Sequence, residues 1–236
     1  MHQSIDPLAN VMTGMLTNAG FTIIRGSAKF VDSHTVQVAN QCVTAENIVI
    51  CTGQYDFKLP IPGNEYMHTS REILDLPELP GHITFIGAGI ISMEFASLLT
   101  QFGVKATVIE FADRALLQYS EEYSNRVVEK LKSVGVDFHF GESLSEIEKK
   151  GDKYYAKTAS GFCVETDYIL AATGRRANVD DLDLEKAGVE YSPRGIKVDG
   201  RMTMEMMMGT IWAFPTQTDG LTEMLAPMLH SDMPKM

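Results

Sequence analysis

Residues 82–110 read HITFIGAGIISMEFASLLTQFGVKATVIE, and the pattern of this stretch decides the fold. Ile83, Phe85 and Ile86 form the short apolar run of a buried strand. Gly87-Ala88-Gly89 and Ser92 follow as a G-x-G-x-x-small turn. Ile91, Phe95, Leu98 and Phe102 then recur at i, i+4, i+7 and i+11, which predicts a helix with that face laid on a sheet. Ala106–Ile109 reads as a second strand closing on Glu110, 21 positions after Gly89. Strand, glycine turn, helix and a strand ending in an acid about 20 residues on make the fingerprint of a dinucleotide-binding unit. The fold expected is therefore α/β with a Rossmann-like nucleotide-binding domain.

Each position has its own physical reason. Gly87 permits the tight strand-to-helix turn, and Gly89 leaves no Cβ in the path of a pyrophosphate. Ser92 is small enough for helix and strand to pack closely. The backbone from Gly87 through Ala88, Gly89, Ile90 and Ile91 to Ser92 is the expected cofactor-contacting segment, because a helix start offers free N–H groups and partial positive charge to phosphates. Glu110 would accept hydrogen bonds from ribose hydroxyls and repel a 2′-phosphate. NAD(H) is thus favoured over NADP(H), with Arg114 the nearby residue that leaves the choice open. Glu94, early in the helix, reads either as dipole compensation or as a carboxylate facing the nicotinamide; spacing alone does not choose between them.

Outward from this unit the chain carries a diverged internal repeat, residues 8–54 against 124–175. Each copy has an amphipathic helix ending in Ala-Gly or Val-Gly. An apolar strand follows, then a hairpin-like polar stretch and a strand closing on Thr-Gly, at Ile48–Gly53 and Ile169–Gly174. In the second copy Val127, Val128, Leu131 and Val134 are expected on one helix face. The opening strand–helix–strand of 82–110 has no counterpart in the first copy. Residues 54–81 hold four of the nine prolines and read as a crossing linker. Nine of the 14 methionines lie between Met202 and Met236, the composition of an apolar filler or interface segment. The expected division is 1–65, 66–199 and 200–236.

The composition fits a folded chain, 44% hydrophobic and 22% charged. A net charge of −11 argues against gripping phosphate backbones, so nucleic acid is not an expected partner. No apolar run reaches the ~20 residues of a membrane span. Cys42, Cys51 and Cys163 are too scattered for a disulfide framework or zinc site, no metal site is expected, and each is read as a small buried hydrophobe. A cytoplasmic, reducing setting is the expectation.

With the repeat, the fingerprint and the two Thr-Gly strand ends in place, the chain resembles the flavin-dependent pyridine nucleotide–disulfide oxidoreductases, the family of dihydrolipoamide dehydrogenase, glutathione reductase and mercuric reductase. The carrying stretches are ENIVICTGQ with PIPG, TSREILDLPELPG running into residues 82–110, and DYILAATGRRANVDDLDLEKAGVE. The resemblance implies an FAD domain with a nicotinamide domain inserted in it and a dimerisation domain after both. It places Ala28, Thr52 and Gly53 on FAD-contacting positions, and Gly87, Gly89, Glu110 and Gly174 on NAD-contacting ones. It also matches Glu94 to the family's catalytic-site glutamate beside nicotinamide and flavin. The sequence departs from the family in lacking the FAD fingerprint, the redox-active C-x-x-x-x-C and the lysine that would partner Glu94. Phe214-Pro-Thr stands where the family has His-Pro-Thr, and Phe cannot transfer a proton.

The function expected is an NADH-dependent flavoprotein oxidoreductase, impaired by the missing parts and with FAD doubtful in this chain. One alternative is a non-catalytic NADH-binding module, another a structural interaction protein. A homo-oligomer, or a second chain supplying the FAD half, is the expected partner.

Overall fold

The computed structural model describes residues 2–193 and 195–198. Helix α1 (His2–Asn18) leads to a small antiparallel meander of β1 (Ala28–Phe30), β2 (Thr35–Val38) and β3 (Gln41–Thr44). Strand β4 (Gln54–Asp56) leaves this region, and β5 (Met67–His68), β6 (His82–Ile86), helix α2 (Ile90–Gln101), β7 (Lys105–Glu110), helix α3 (Glu121–Ser133) and β8 (Asp137–Phe140) follow. A second meander, β9 (Leu144–Lys150), β10 (Lys153–Thr158) and β11 (Cys163–Thr166), precedes β12 (Tyr168–Ala171). Strand β13 (Arg175–Ala177) then pairs antiparallel with β4, and β14 (Tyr191–Ser192) with β15 (Gly195–Ile196).

The centre is a five-stranded, wholly parallel sheet in the order β5-β12-β6-β7-β8. Parallel strands are covered on both faces, which is why these sequences are almost continuously apolar. One face carries Ile83, Phe85, Val108 and Leu170 against Met93, Ala96 and Leu99 of α2 and Val128 and Leu131 of α3. The other carries Ile86, Ile109 and Ile169 against Leu144, Ile147 and Ala156 of the second meander. A third cluster joins Phe30 of β1 to Val179 and Leu184, with Ile48 and Ile50 at its margin. The chain after β13 therefore packs back onto the first meander rather than onto the sheet.

Several expectations need correction. The face of α2 on the sheet is Ser92, Met93, Ala96 and Leu99, while Leu98 is 47% and Phe102 66% exposed. Ser92 and Ala96 win the contact because only small residues let a helix come close to the strand beside a glycine turn. The row of larger residues is rotated to the flank, where Ile91 and Phe95 still pack on the cluster. In α3, Val128 and Leu131 are buried and Val127 and Val134 largely exposed, for the same one-row rotation. The two repeat helices, α1 and α3, do stop at the expected glycines, Gly20 and Gly135, which adopt φ of 87° and 98°.

The repeat holds in its helix and in the antiparallel meander of each copy, but where the second copy has the strands β8 and β12 the first copy forms none, at 21–24 or at Ile48–Gly53. Ile169 pairs with β5 on one side and β6 on the other. Among the described residues no strand lies beside 48–53 to take up its N–H and C=O groups, and Val49 is 83% exposed. All three cysteines are exposed rather than buried: Cys42 and Cys163 sit on meander strands, and Cys51 on the unpaired stretch. The Met-rich segment from Met202 and the Phe214-Pro-Thr motif lie outside the described residues.

Candidate functional site

The carboxyl ends of β6, β7 and β12 lie side by side, and the turns that leave them gather the residues of the fingerprint. Gly87 has φ +98°, and its N–H donates to the Ile109 carbonyl at 2.8 Å. A Cβ on Gly87 would stand 2.5 Å from the Ala172 carbonyl oxygen, so the glycine is required by the neighbouring strand as well as by the turn. Gly89 is the N-cap of α2 with extended backbone and no side-chain cap, and a Cβ there would meet nothing within 4 Å. The first N–H groups of α2, at Ile90, Ile91 and Ser92, precede the start of the intrahelical ladder. An uncapped helix start opening into free space has the form of an anion cradle.

Ser92 does more than fit. Fully buried, its hydroxyl donates to the Gly87 carbonyl at 2.5 Å, tying the helix back to the turn. Ala88 is 2% exposed, and its two backbone groups are held by the last residue of β7 and by the connection after it. Its N–H donates to Glu110 Oε2 at 2.6 Å, and its carbonyl accepts from the Leu116 N–H at 2.9 Å. Glu110 Oε1 accepts from the Ala112 N–H at 2.9 Å, and the carboxylate is 7% exposed. A carboxylate has about four lone-pair sites, so these two bonds leave acceptor capacity for further donors.

Arg114 stands over this connection. Its guanidinium donates to the Leu117 carbonyl at 3.0 Å and, over longer contacts, to those of Ala115 (3.3 Å), Leu116 (3.4 Å) and Tyr119 (3.4 Å). Leu116 sits in the left-handed region at φ 52°, unusual for a leucine. The sequence reading missed the parts played by Ala172 and Leu116, and saw Arg114 only as a charge. A backbone carbonyl leaves no mark in the sequence, whereas an arginine four residues past the acid does.

Of the other expected residues, Gly174 follows β12 at the same end of the sheet, with φ +103° and its carbonyl accepting from the Phe57 N–H at 3.0 Å. Ile90 is 46% exposed beside the turn. Glu94 is exposed on α2, beside a groove of about 650 Å³ between α2 and α3 lined by Met93, Leu98, Arg126 and Lys130, and forms no ion pair among the described residues. Thr52 and Gly53 give their carbonyls to Asn178, at 3.4 Å from Nδ2 and 3.0 Å from the backbone N–H. Ala28 starts β1 opposite Val38, and no hydrogen bond joins it to Thr52 or Gly53. Gly87, Ala88, Gly89, Ser92, Glu110 and Gly174 thus meet at one end of the sheet, whereas the strand of Ala28 and the stretch ending in Thr52-Gly53 meet through the hydrophobic cluster that joins Phe30 to Ile48 and Ile50.

The opposite end of the sheet carries a polar girdle. His82 Nε2 lies 2.9 Å from Thr107 Oγ1, and Asp167 accepts from the His82 N–H while pairing with Lys153. Burial, aided by Lys105, holds the His82 imidazole below its ordinary pKa, and the Lys153 hydrogen bond holds Asp167 below the usual carboxylate value. Among the described residues no group of His, Cys, Asp and Glu could hold a metal ion, and no helix is long and apolar enough to cross a membrane.

The family model described as pyridine nucleotide-disulphide oxidoreductase matches residues 3–214. The chain belongs to this family. Among its relatives within that oxidoreductase family are the dihydrolipoyl dehydrogenase of Bacillus subtilis, 28% identical over 207 residues, covering 85% of this chain and 45% of the relative. The glutathione reductase of Nostoc is 35% identical over 84% of this chain and 43% of its own length. The mercuric reductase of Staphylococcus aureus is 32% identical over 77% and 34%. An HOCl-induced flavoprotein disulfide reductase from Escherichia coli superposes with a TM-score of 0.70 at 31% identity, over 75% of this chain and 42% of that one. The chain spans less than half the length of these oxidoreductase relatives.

Proposed function

We propose that this chain carries the NADH site of a flavoprotein oxidoreductase of the disulfide reductase type. The observation that supports this best is the Gly87-Ala88-Gly89 turn with the Glu110 carboxylate hydrogen-bonded into it at 2.6 Å. The open, uncapped start of α2 would bind the pyrophosphate through the N–H groups of Ile90, Ile91 and Ser92, with the helix dipole adding to the attraction. Glu110 would use its remaining lone pairs on the adenosine ribose hydroxyls and oppose a 2′-phosphate by like charge. Arg114, turned onto the carbonyls of its own loop, is not offered to such a phosphate, which favours NADH over NADPH. Gly174 would border the same site, and Glu94 would face the nicotinamide end.

When bound, NADH supplies a hydride and a flavin accepts it, the protein's part being to hold and orient the nucleotide. Ala28, Thr52 and Gly53 would border the flavin, and no step is assigned to them. In this reading the sheet is the core of a nucleotide-binding unit within 66–199, flanked by a flavin-side part at 1–65, onto which the residues after β13 pack, and by an interface part at 200–236. A homo-oligomer or a second chain would complete the flavin side.

The second reading, a non-catalytic NADH-binding module, is favoured by the stretches 21–24 and 48–53, which have no strand partner among the described residues. Titration with NADH and NADPH, followed by a visible absorption spectrum after incubation with FAD, separates the readings. NADH binding with a flavin band that bleaches supports the oxidoreductase, and NADH binding without flavin supports the module. Failure to bind either nucleotide overturns both.

A further inference from the structure

The geometry points to Arg114 as a positioning residue that pre-sets the glycine turn for nucleotide binding, rather than as a receptor for a 2′-phosphate. The inference rests on the reading of that turn as an NADH site and goes a step further, to what holds it in shape.

Ala88 is the middle residue of Gly87-Ala88-Gly89, and its peptide groups face the β7–α3 connection on both sides. The N–H is held by Glu110 Oε2 at 2.6 Å and the carbonyl by the Leu116 N–H at 2.9 Å. For Leu116 to aim its N–H at Ala88, its backbone adopts φ 52°, a conformation an isolated leucine seldom takes and which surrounding structure must enforce. Arg114 supplies that enforcement. Its fork spans the carbonyls of Ala115, Leu116, Leu117 and Tyr119, the residues on either side of the unfavourable conformation. Ser124 of α3 adds a hydroxyl contact to the Leu116 carbonyl at 3.4 Å, so the loop is fixed at its helix end too. A planar guanidinium with five donors can satisfy several carbonyls at once, which a lysine ammonium cannot do in the same geometry. The chain from Arg114 to Leu116 to Ala88 thus ends one residue before Gly89, the N-cap of the helix that would meet the pyrophosphate.

The test compares the full chain with Arg114→Ala and Arg114→Lys, first by amide exchange without nucleotide and then by NADH and NADPH titration. The Ala88 and Leu116 amides should exchange about tenfold or more faster in R114A, while Phe85, inside β6, keeps its protection. NADH and NADPH affinities should fall together by about tenfold, leaving their ratio unchanged, with R114K between the two proteins. Unchanged exchange at Ala88 and Leu116 in both variants would overturn the proposal. So would a loss confined to NADPH, since that marks a phosphate receptor. If R114A does not fold, R114K carries the same comparison. If the unaltered chain binds neither nucleotide, the NADH reading fails, and the exchange experiment still decides whether Arg114 holds the turn.

Discussion

The Ala172 carbonyl oxygen lies 2.5 Å from the place a Cβ on Gly87 would occupy. The same residue's N–H donates to the Ile86 carbonyl at 2.8 Å, so Ala172 is fixed by the end of the β6–β12 ladder and has no freedom to retreat. Gly87→Ala therefore combines a backbone clash with an L-residue at φ +98°, and should destabilise the chain by about 2–3 kcal/mol. Gly89→Ala meets no atom within 4 Å and needs no positive φ, so it should fold normally and still lose NADH affinity by placing a methyl where the pyrophosphate approaches. Urea denaturation and nucleotide titration of both variants check the contrast. Equal stability of the two would show that Ala172 can yield.

Glu110 has two duties that substitution can separate. Glu110→Ala leaves the N–H of buried Ala88 without its acceptor, at a cost of about 1–3 kcal/mol. Glu110→Gln keeps an amide oxygen for that bond but removes the charge. It should retain most of the stability, lose some NADH affinity and relax discrimination against NADPH. Binding of both nucleotides with unaltered affinities in E110Q would remove Glu110 from the site.

The sheet and its glycine turn were legible because each signal is local. A buried strand run, two glycines and an acid at fixed spacing belong to one continuous segment. The helix faces were read one row out of place because hydrophobic spacing favours Leu98 and Phe102, whereas close approach at the turn favours Ser92 and Ala96. Strand formation at Ile48–Gly53 was not decidable locally, since a strand depends on neighbouring strands and these residues pair with none among the described residues. Clamping of Ala88 by Leu116 was invisible because it runs through backbone atoms, which every residue has.

Two adjacent leucines on α2 give a direct test of the corrected face. Leu99 is 4% exposed and belongs to the core between helix and sheet, while Leu98 is 47% exposed. Leu99→Ala should cost about 2–5 kcal/mol and Leu98→Ala less than about 1. Thermal or denaturant midpoints of the two variants suffice, and a larger loss for L98A would restore the face expected from spacing.

His82 gives the fold a pH dependence of defined sign. Its folded pKa lies below the ordinary value because burial and Lys105 disfavour the imidazolium, against the opposing pull of Asp167. The unfolded chain therefore binds the proton more readily. His82's contribution is fully present above the ordinary histidine value and is lost as pH falls from there toward the depressed folded value. His82→Gln should flatten the stability profile just below the ordinary histidine value. Parallel profiles for the two proteins across that range would assign the dependence elsewhere.

Strands β4 and β13 pair with Gln54 opposite Ala177 and Asp56 opposite Arg175, and the Phe57 N–H reaches the Gly174 carbonyl at 3.0 Å. Everything between those two points, the whole parallel sheet included, is a loop of chain that departs and comes home at one doorway. Such a segment is a cassette: a short turn in its place would leave the doorway strands in register. Its own two ends, already side by side, would suit it to grafting into another hairpin or to circular permutation.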